Sequence, residues 1–359
     1  MTAETPASAR ATLHMPLAPA YLQWLMEHLQ QEGVQVTAGS AAGSHRLMMD
    51  SVGTLELNTR ADEMLECEVW PVDAPMLALI KMSLLEHAQE FLSEQQQDPQ
   101  RISIVWSDAD GDDALARPGF QRLRVLQRTD ITARMRRFRL QAEHLPSLID
   151  GDGLHLRLLL PAPGQPALWP TMGSEGRLQY PESAPPLPQR IYTIVHSHVQ
   201  EGWIEIDMLR HGHATSAADA PGSHWADMAQ PGDEVGAITP AGGRLHSASR
   251  MVLVADNCAL PALARQLQNL APDAQVQVIA MVEDAAEIRS LPLPEDHKLR
   301  WLVAPSPQML LQTMERLRWQ GNPPERLWAA CGDAHAKALR HWVREQQPQL
   351  RSQISSYWR

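Results

Sequence analysis

The chain has 359 residues, 44% of them apolar and 20% charged, which suits two or three globular domains with buried cores and argues against disorder. A net charge of -11 argues against nucleic acid as the main partner and gives no polybasic reason to sit on a membrane. Cys67, Cys258 and Cys331 are too few and too far apart for a disulfide framework or a zinc site. The opening MTAETPASAR lacks the apolar centre of a signal peptide, and no apolar run is long enough to insert in a membrane; the expectation is a cytoplasmic protein.

The first hundred residues read as a small α+β unit. Residues 16–31 carry apolar side chains at helical spacing. Strand-like runs follow at 34–38, 45–50, 54–59 and 67–72, then a second helix at 74–92 and a strand at 102–107. SDADGDDALARPG (107–119) reads as a linker. From 120 to about 248 short strands alternate with Pro and Gly, and 161–190 holds eight prolines. That pattern predicts an antiparallel barrel with a long loop. From 250 the runs MVLVAD, VQVIAMV, LRWLVA and RLWAACG alternate with helical segments, which predicts a parallel sheet covered by helices. The expected architecture is multi-domain: a small α+β domain (10–107), an antiparallel β-barrel (118–248) and an α/β domain with a parallel sheet (249–359).

Four segments carry the candidate chemistry. Arg190-Ile191-Tyr192-Thr193 sits on a strand just after the Pro-rich loop. Such a strand can offer a cation to a phosphate, a flat ring to a ring, and a hydroxyl to a heteroatom; the plain alternative is an edge strand with an exposed Arg and a core Tyr. His211-Gly212 precedes Pro221-Gly222-Ser223-His224-Trp225-Ala226, the start of a short helix. Its free N–H groups suit a pyrophosphate, although most helix starts bind nothing. Asp256-Asn257-Cys258-Ala259-Leu260-Pro261 follows a strand and opens a helix, without a GxGxxG fingerprint. Last, Trp328-Ala329-Ala330-Cys331-Gly332-Asp333 leaves a strand, and Tyr357-Trp358-Arg359 ends the chain.

In this order the segments resemble the siderophore-interacting protein family, flavin-dependent ferric-siderophore reductases of the ferredoxin-NADP reductase superfamily. RIYT, HG…APGSHWA, DNCALPA, WAACGD and YWR carry the likeness, which covers about 120–359. Residues 10–107 look like a small uncharacterised domain fused ahead of that module. The resemblance implies that the barrel binds FAD and the last domain binds NADH or NADPH. Arg190, Tyr192, Thr193 and His211 would contact FAD, with Gly222 and Ser223 donating to its pyrophosphate. Asp256, Ala259 and Pro261 would line the nicotinamide side with Asp333 nearby, and Arg359 would meet the substrate. Two departures stand out: Val195 replaces an Arg that usually follows the Tyr-Thr pair, and Asn257-Cys258 replaces Glu-Thr.

The implied activity is reduction of Fe(III) in a ferric siderophore, which frees Fe(II) because the softer ion binds hard oxygen ligands less tightly. No general base and no resident metal are expected. Glu283 and Asp284, after the second strand of the last domain, would suit a ribose hydroxyl and favour NADH. Seven arginines between 122 and 139 form either a patch for an anionic siderophore or a solvated barrel face. Cys258 is either an activated thiol at a helix start or an inert buried one. The alternatives to the reductase are a non-catalytic relative that binds a siderophore or a partner, and a general flavin or ferredoxin reductase.

Overall fold

The computed structural model describes residues 8–31, 34–49, 52–71, 74–107, 120–142, 154–162, 164, 167–172, 177–182, 184–210, 220–238, 245, 248–293, 297–319 and 322–358. The fold divides into two units: residues 1–120, 168–186 and 238–241 in one, and 121–167, 187–237 and 242–359 in the other.

The first unit is built on a six-stranded antiparallel sheet: β1 (Ala9–His14), β2 (Gln35–Ala38), β3 (His45–Met49), β4 (Gly53–Ala61), β5 (Met64–Pro71) and β6 (Ser103–Trp106), in the order β2-β3-β4-β5-β1-β6. Helices α1 (Ala18–Gln31) and α2 (Ala74–Glu94) cover one face. Alternation decides which side chains go inward. In β5, Leu65, Cys67 and Val69 are buried while the residues between them are not. They lie opposite Leu13, Ala11 and Ala9 of β1, and Tyr21, Leu25, Leu84 and Phe91 close the same core. Strand β1 is absent from the predicted elements. Its inward residues are mostly small, so its apolar signal is weak, yet it fills the slot between β5 and β6.

The second unit combines a barrel and a parallel sheet. Strands β7 (Phe120–Asp130), β8 (Met135–Ala142), β9 (His155–Leu159), β12 (Gln189–His198), β13 (Trp203–Leu209) and β14 (Glu234–Ile238) close in the order β12-β13-β8-β7-β14-β9. Between β9 and β12 the described residues hold only the short pair β10 (Thr171–Met172) and β11 (Leu178–Gln179). Proline lacks the N–H a ladder needs, so this Pro-rich stretch cannot extend the barrel. Phe138, Leu140, Ile194, Ile204 and Ile206 fill the barrel interior, and helix α3 (Pro221–Met228) adds Trp225 to it.

The parallel sheet runs β17 (Lys298–Val303), β16 (Gln275–Val282), β15 (Arg250–Ala255), β18 (Arg326–Gly332) and β19 (Arg351–Trp358). All four pairings are parallel. Its central strands read as unbroken apolar runs because both faces are covered. Met251, Leu253 and Ala255 face one core and Val252 and Val254 the other. Helix α4 (Leu260–Gln268) lies on the first face; α5 (Pro307–Glu315) and α6 (Asp333–Gln346) lie on the second. The chain climbs from β15 through β16 to β17, then restarts on the far side of β15 with β18. That reversal puts a crevice at the carboxyl ends of β15 and β18, where open α/β sheets bind ligands.

Candidate functional site

The first cluster is on the barrel. Strand β12 alternates, so Arg190 and Tyr192 share one face and Thr193 takes the other. Arg190 is exposed and donates from Nη1 to the Gln189 carbonyl at 2.7 Å. Tyr192 is half-buried against the barrel core, and burial pushes its phenol pKa up. Its hydroxyl lies over Gly222: a Cβ there would sit 2.2 Å from Tyr192 Oη and 3.7 Å from Arg190 Cγ. Only glycine lets the helix start come this close. The N-cap of α3, Ala220, offers no side-chain acceptor, and Pro221 at the first position has no N–H. The first-turn amides of Gly222 and Ser223 therefore gather beside a guanidinium and a flat phenol. A cation, helix-start donors and a ring surface fit a dinucleotide diphosphate next to a flat heterocycle.

The second cluster fills the sheet crevice. Asp256 leaves β15 and accepts four hydrogen bonds. Its Oδ1 takes the amides of Cys258 at 3.1 Å and Ala259 at 3.2 Å; its Oδ2 takes Gly332 N and Trp358 Nε1, both at 2.7 Å. Burial pushes its acid pKa up, and these donors work against that. Trp358 lies across Gly332, where a Cβ would be 2.6 Å from its Cζ2. One carboxylate thus ties the end of β15, the start of α4, the start of α6 and the last strand together. Ala259 and Pro261 are buried at the start of α4, and Asp333 opens α6 with Lys337 Nζ at 2.7 Å.

A hydrogen-bonded chain joins the clusters. Thr193 Oγ1 is 3.1 Å from His155 Nδ1, and His155 Nε2 is 2.9 Å from the Tyr357 hydroxyl. His155 stands directly opposite Thr193 in the β9/β12 register. Burial, helped by the Arg265 guanidinium, holds the His155 pKa down at about 4, so the ring is neutral. Arg265, from α4, donates to the carbonyl of Ile194. Neither His155 nor Arg265 was singled out by sequence reasoning. A lone histidine opening an apolar strand was the only available signal.

His211 and Arg359 lie outside the described residues, as does the 108–119 stretch. Val195 is buried as the extra residue of a β-bulge between Ile194 and His196, and His196 pairs with Glu205 at 3.0 Å. Glu283 pairs with Arg134, and Asp284 caps a short 3-10 turn at 2.9 Å from Ala286 N. Both acids thus have structural partners. Much of the arginine run is paired with acids. Arg136 pairs with Asp130, Arg137 with Asp207, Arg139 with Glu205, and Arg122 and Arg124 face Glu234. Burial and Asp256 push the Cys258 thiol pKa up, which favours the thiol over the reactive thiolate.

Comparison with known proteins bears on this arrangement. The family model of the siderophore-interacting FAD-binding domain matches residues 124–244, and that of the siderophore-interacting protein matches 248–359. The NADPH-dependent ferric-chelate reductase of Escherichia coli is 30% identical over 190 residues, which is 51% of this chain and 71% of that protein. The chain belongs to the siderophore-interacting protein family. A second relative, the ferric vibriobactin reductase ViuB of Vibrio cholerae, is 28% identical over 156 residues, 43% of this chain and 55% of the relative. The match thus spans about half the length of that relative. Among solved structures, a siderophore utilization protein from T. fusca is 28% identical with a TM-score of 0.55, covering 68% of this chain and 94% of that one. SipS from Aeromonas hydrophila, 24% identical with a TM-score of 0.56 over 67% and 92% of the two chains, shares the fold.

Proposed function

We propose that this chain is an FAD-dependent reductase of ferric siderophores that uses NADH or NADPH and acts in the cytoplasm. The supporting observation is the Arg190–Tyr192–Gly222 cradle, in one unit with the Asp256 crevice. In this reading Arg190, Gly222, Ser223 and His211 hold the FAD diphosphate, and Tyr192 and Thr193 meet its ring. Asp256, Ala259, Pro261 and Asp333 shape the nicotinamide side. Arg359 meets the ferric siderophore. Residues 118–248 serve as the flavin domain, 249–359 as the nicotinamide domain and 10–107 as an added domain without an assigned role. FAD, when bound, supplies conversion of a two-electron hydride into single electrons for Fe(III). The chain's own residues bind, orient and exclude water. Asp256 fixes the crevice through its four donors. Trp358 covers Gly332 at the crevice wall.

The test is the absorption spectrum of the purified chain before and after adding FAD, followed by NADH- and NADPH-driven reduction of a ferric siderophore. Flavin absorbance and donor-dependent Fe(II) release are expected. Arg190→Ala and Tyr192→Ala should each lose flavin and iron reduction; if both variants keep wild-type levels of each, the reading is wrong.

A further inference from the structure

We propose that His155 is a positioning residue, held by Tyr357 as the Nδ1–H tautomer so that it turns the Thr193 hydroxyl hydrogen outward, away from its own ring. The half of this proposal that concerns the flavin rests on the function proposed above.

A neutral imidazole has one N–H and one lone pair. His155 has hydroxyl partners on both nitrogens: Thr193 at Nδ1 (3.1 Å) and Tyr357 at Nε2 (2.9 Å). One hydroxyl must therefore donate to the ring and the other must accept from it. Two arrangements exist. In one, Tyr357 donates to Nε2, the ring donates Nδ1–H to Thr193, and Thr193 has its hydrogen free. In the other every bond is reversed, and Tyr357 is left with a hydrogen to place.

The relative donor strength of the two hydroxyls chooses between them. A phenol is a stronger acid than an alkyl alcohol, and its oxygen lone pair is drawn into the ring. It is the better donor and the poorer acceptor, so Tyr357 takes the donor role. Burial does not separate the two arrangements: Thr193 is buried and Tyr357 half-buried, and neither hydroxyl oxygen has another hydrogen-bond partner among the described residues.

The consequence falls on Thr193, whose Oγ1 has no hydrogen-bond partner besides His155 among the described residues. With Nδ1–H pointing at its lone pair, the hydroxyl offers a hydrogen and suits an unprotonated ring nitrogen. Burial, with Arg265 nearby, disfavours an imidazolium, in which Nε2 would carry a hydrogen and Tyr357 could no longer donate to it. The device joins three strands, β9, β12 and β19, whose residues lie far apart in the sequence.

Nitrogen NMR of the full chain, labelled at histidine nitrogens and assigned with His155→Leu, reads the tautomer directly and without flavin. The expected spectrum has Nδ1 protonated and Nε2 bare. Tyr357→Phe, which keeps the ring and removes the donor, should raise the Nε2–H form several-fold. A wild-type Nε2–H tautomer overturns the proposal, and so does a Tyr357→Phe spectrum identical to wild type. The second readout is the midpoint potential of bound FAD. Thr193→Val, His155→Leu and Tyr357→Phe should all raise it, because each weakens a donor to the oxidised ring. A tenfold change in relative affinity for the two oxidation states corresponds to about 30 mV. His155→Asn, whose amide N–H replaces Nδ1–H, should restore most of the wild-type value. Unchanged potentials in all three variants refute the positioning role while the reductase stands. Failure of the wild type to bind FAD refutes the reductase, and the tautomer spectrum still decides what Tyr357 does.

Discussion

Replacing Gly222 by alanine tests the cradle at its tightest point. The new Cβ would stand 2.2 Å from Tyr192 Oη, about 1.2 Å short of ordinary contact at 3.4 Å. The next atoms, Tyr192 Cζ at 3.5 Å and Arg190 Cγ at 3.7 Å, already tolerate it. The conflict is thus with one oxygen, on a ring packed against the barrel core. Overpacking of this kind costs about 1–3 kcal/mol. Alanine returns at most about 1 kcal/mol of helix propensity, and less in the first turn. The net loss of stability should be about 1 kcal/mol, a fall of about 2–4 °C in the melting temperature for a unit of this size. The loss of FAD affinity should be larger, at least about tenfold, because the ring and the first-turn amides are displaced together. Flavin titration and thermal melts measure the two effects separately. Tyr192→Phe in the Gly222→Ala background removes the clashing oxygen and should recover the stability. If Gly222→Ala binds FAD like the wild type, or the double variant melts no higher than the single one, the cradle has been misread.

Three further outcomes are expected. Asp256→Asn turns an amide N–H₂ toward groups that are themselves donors, so it should lower stability by about 1–3 kcal/mol and free Trp358, seen as a red shift in tryptophan fluorescence; an unchanged melt would refute the four-donor account. His155 has a folded pKa near 4 against a reference of 6.5. Its neutral form is favoured in the fold, so the stability it contributes is present above pH 6.5 and is lost as pH falls toward 4, by up to about 3 kcal/mol. Denaturant unfolding at pH 7 and pH 4.5 should show a smaller acid loss in His155→Asn, and an equal loss would disprove the assignment. Cys258, whose thiol is pushed up by burial and Asp256, should alkylate at least about tenfold more slowly at pH 7.5 than a free cysteine, as followed by mass spectrometry.

Much of the fold was legible because its elements announce themselves locally. The apolar runs at 251–256, 276–282 and 326–332 read as buried strands, and the helical spacing at 16–31 and 74–92 read as covering helices. The Pro-rich stretch ended the ladder where proline must end it. Strand β1 was missed because inward residues such as Ala9 and Ala11 carry little apolar signal, and only its neighbours β5 and β6 make it a central strand. Within the site, RIYT and APGS marked the barrel cluster by residue type. That Tyr192 requires a glycine at 222 depends on how closely two segments thirty residues apart approach, so that a Cβ at 222 would stand 2.2 Å from Tyr192 Oη.

Charge showed the same limit. Seven arginines in eighteen residues left a patch and a solvated face both open, and the acids that pair with Arg136, Arg137 and Arg139 come from other strands. Sequence by itself determined the kinds of element, their order and the residue types offered to a ligand, because periodicity and turn chemistry act over a few residues. Tertiary structure decided which of those residues meet. Asp256 reaches Gly332 and Trp358, and His155 reaches Thr193 and Tyr357, because barrel closure and the strand reversal beside β15 bring distant segments to within one hydrogen bond, a distance that no local pattern encodes.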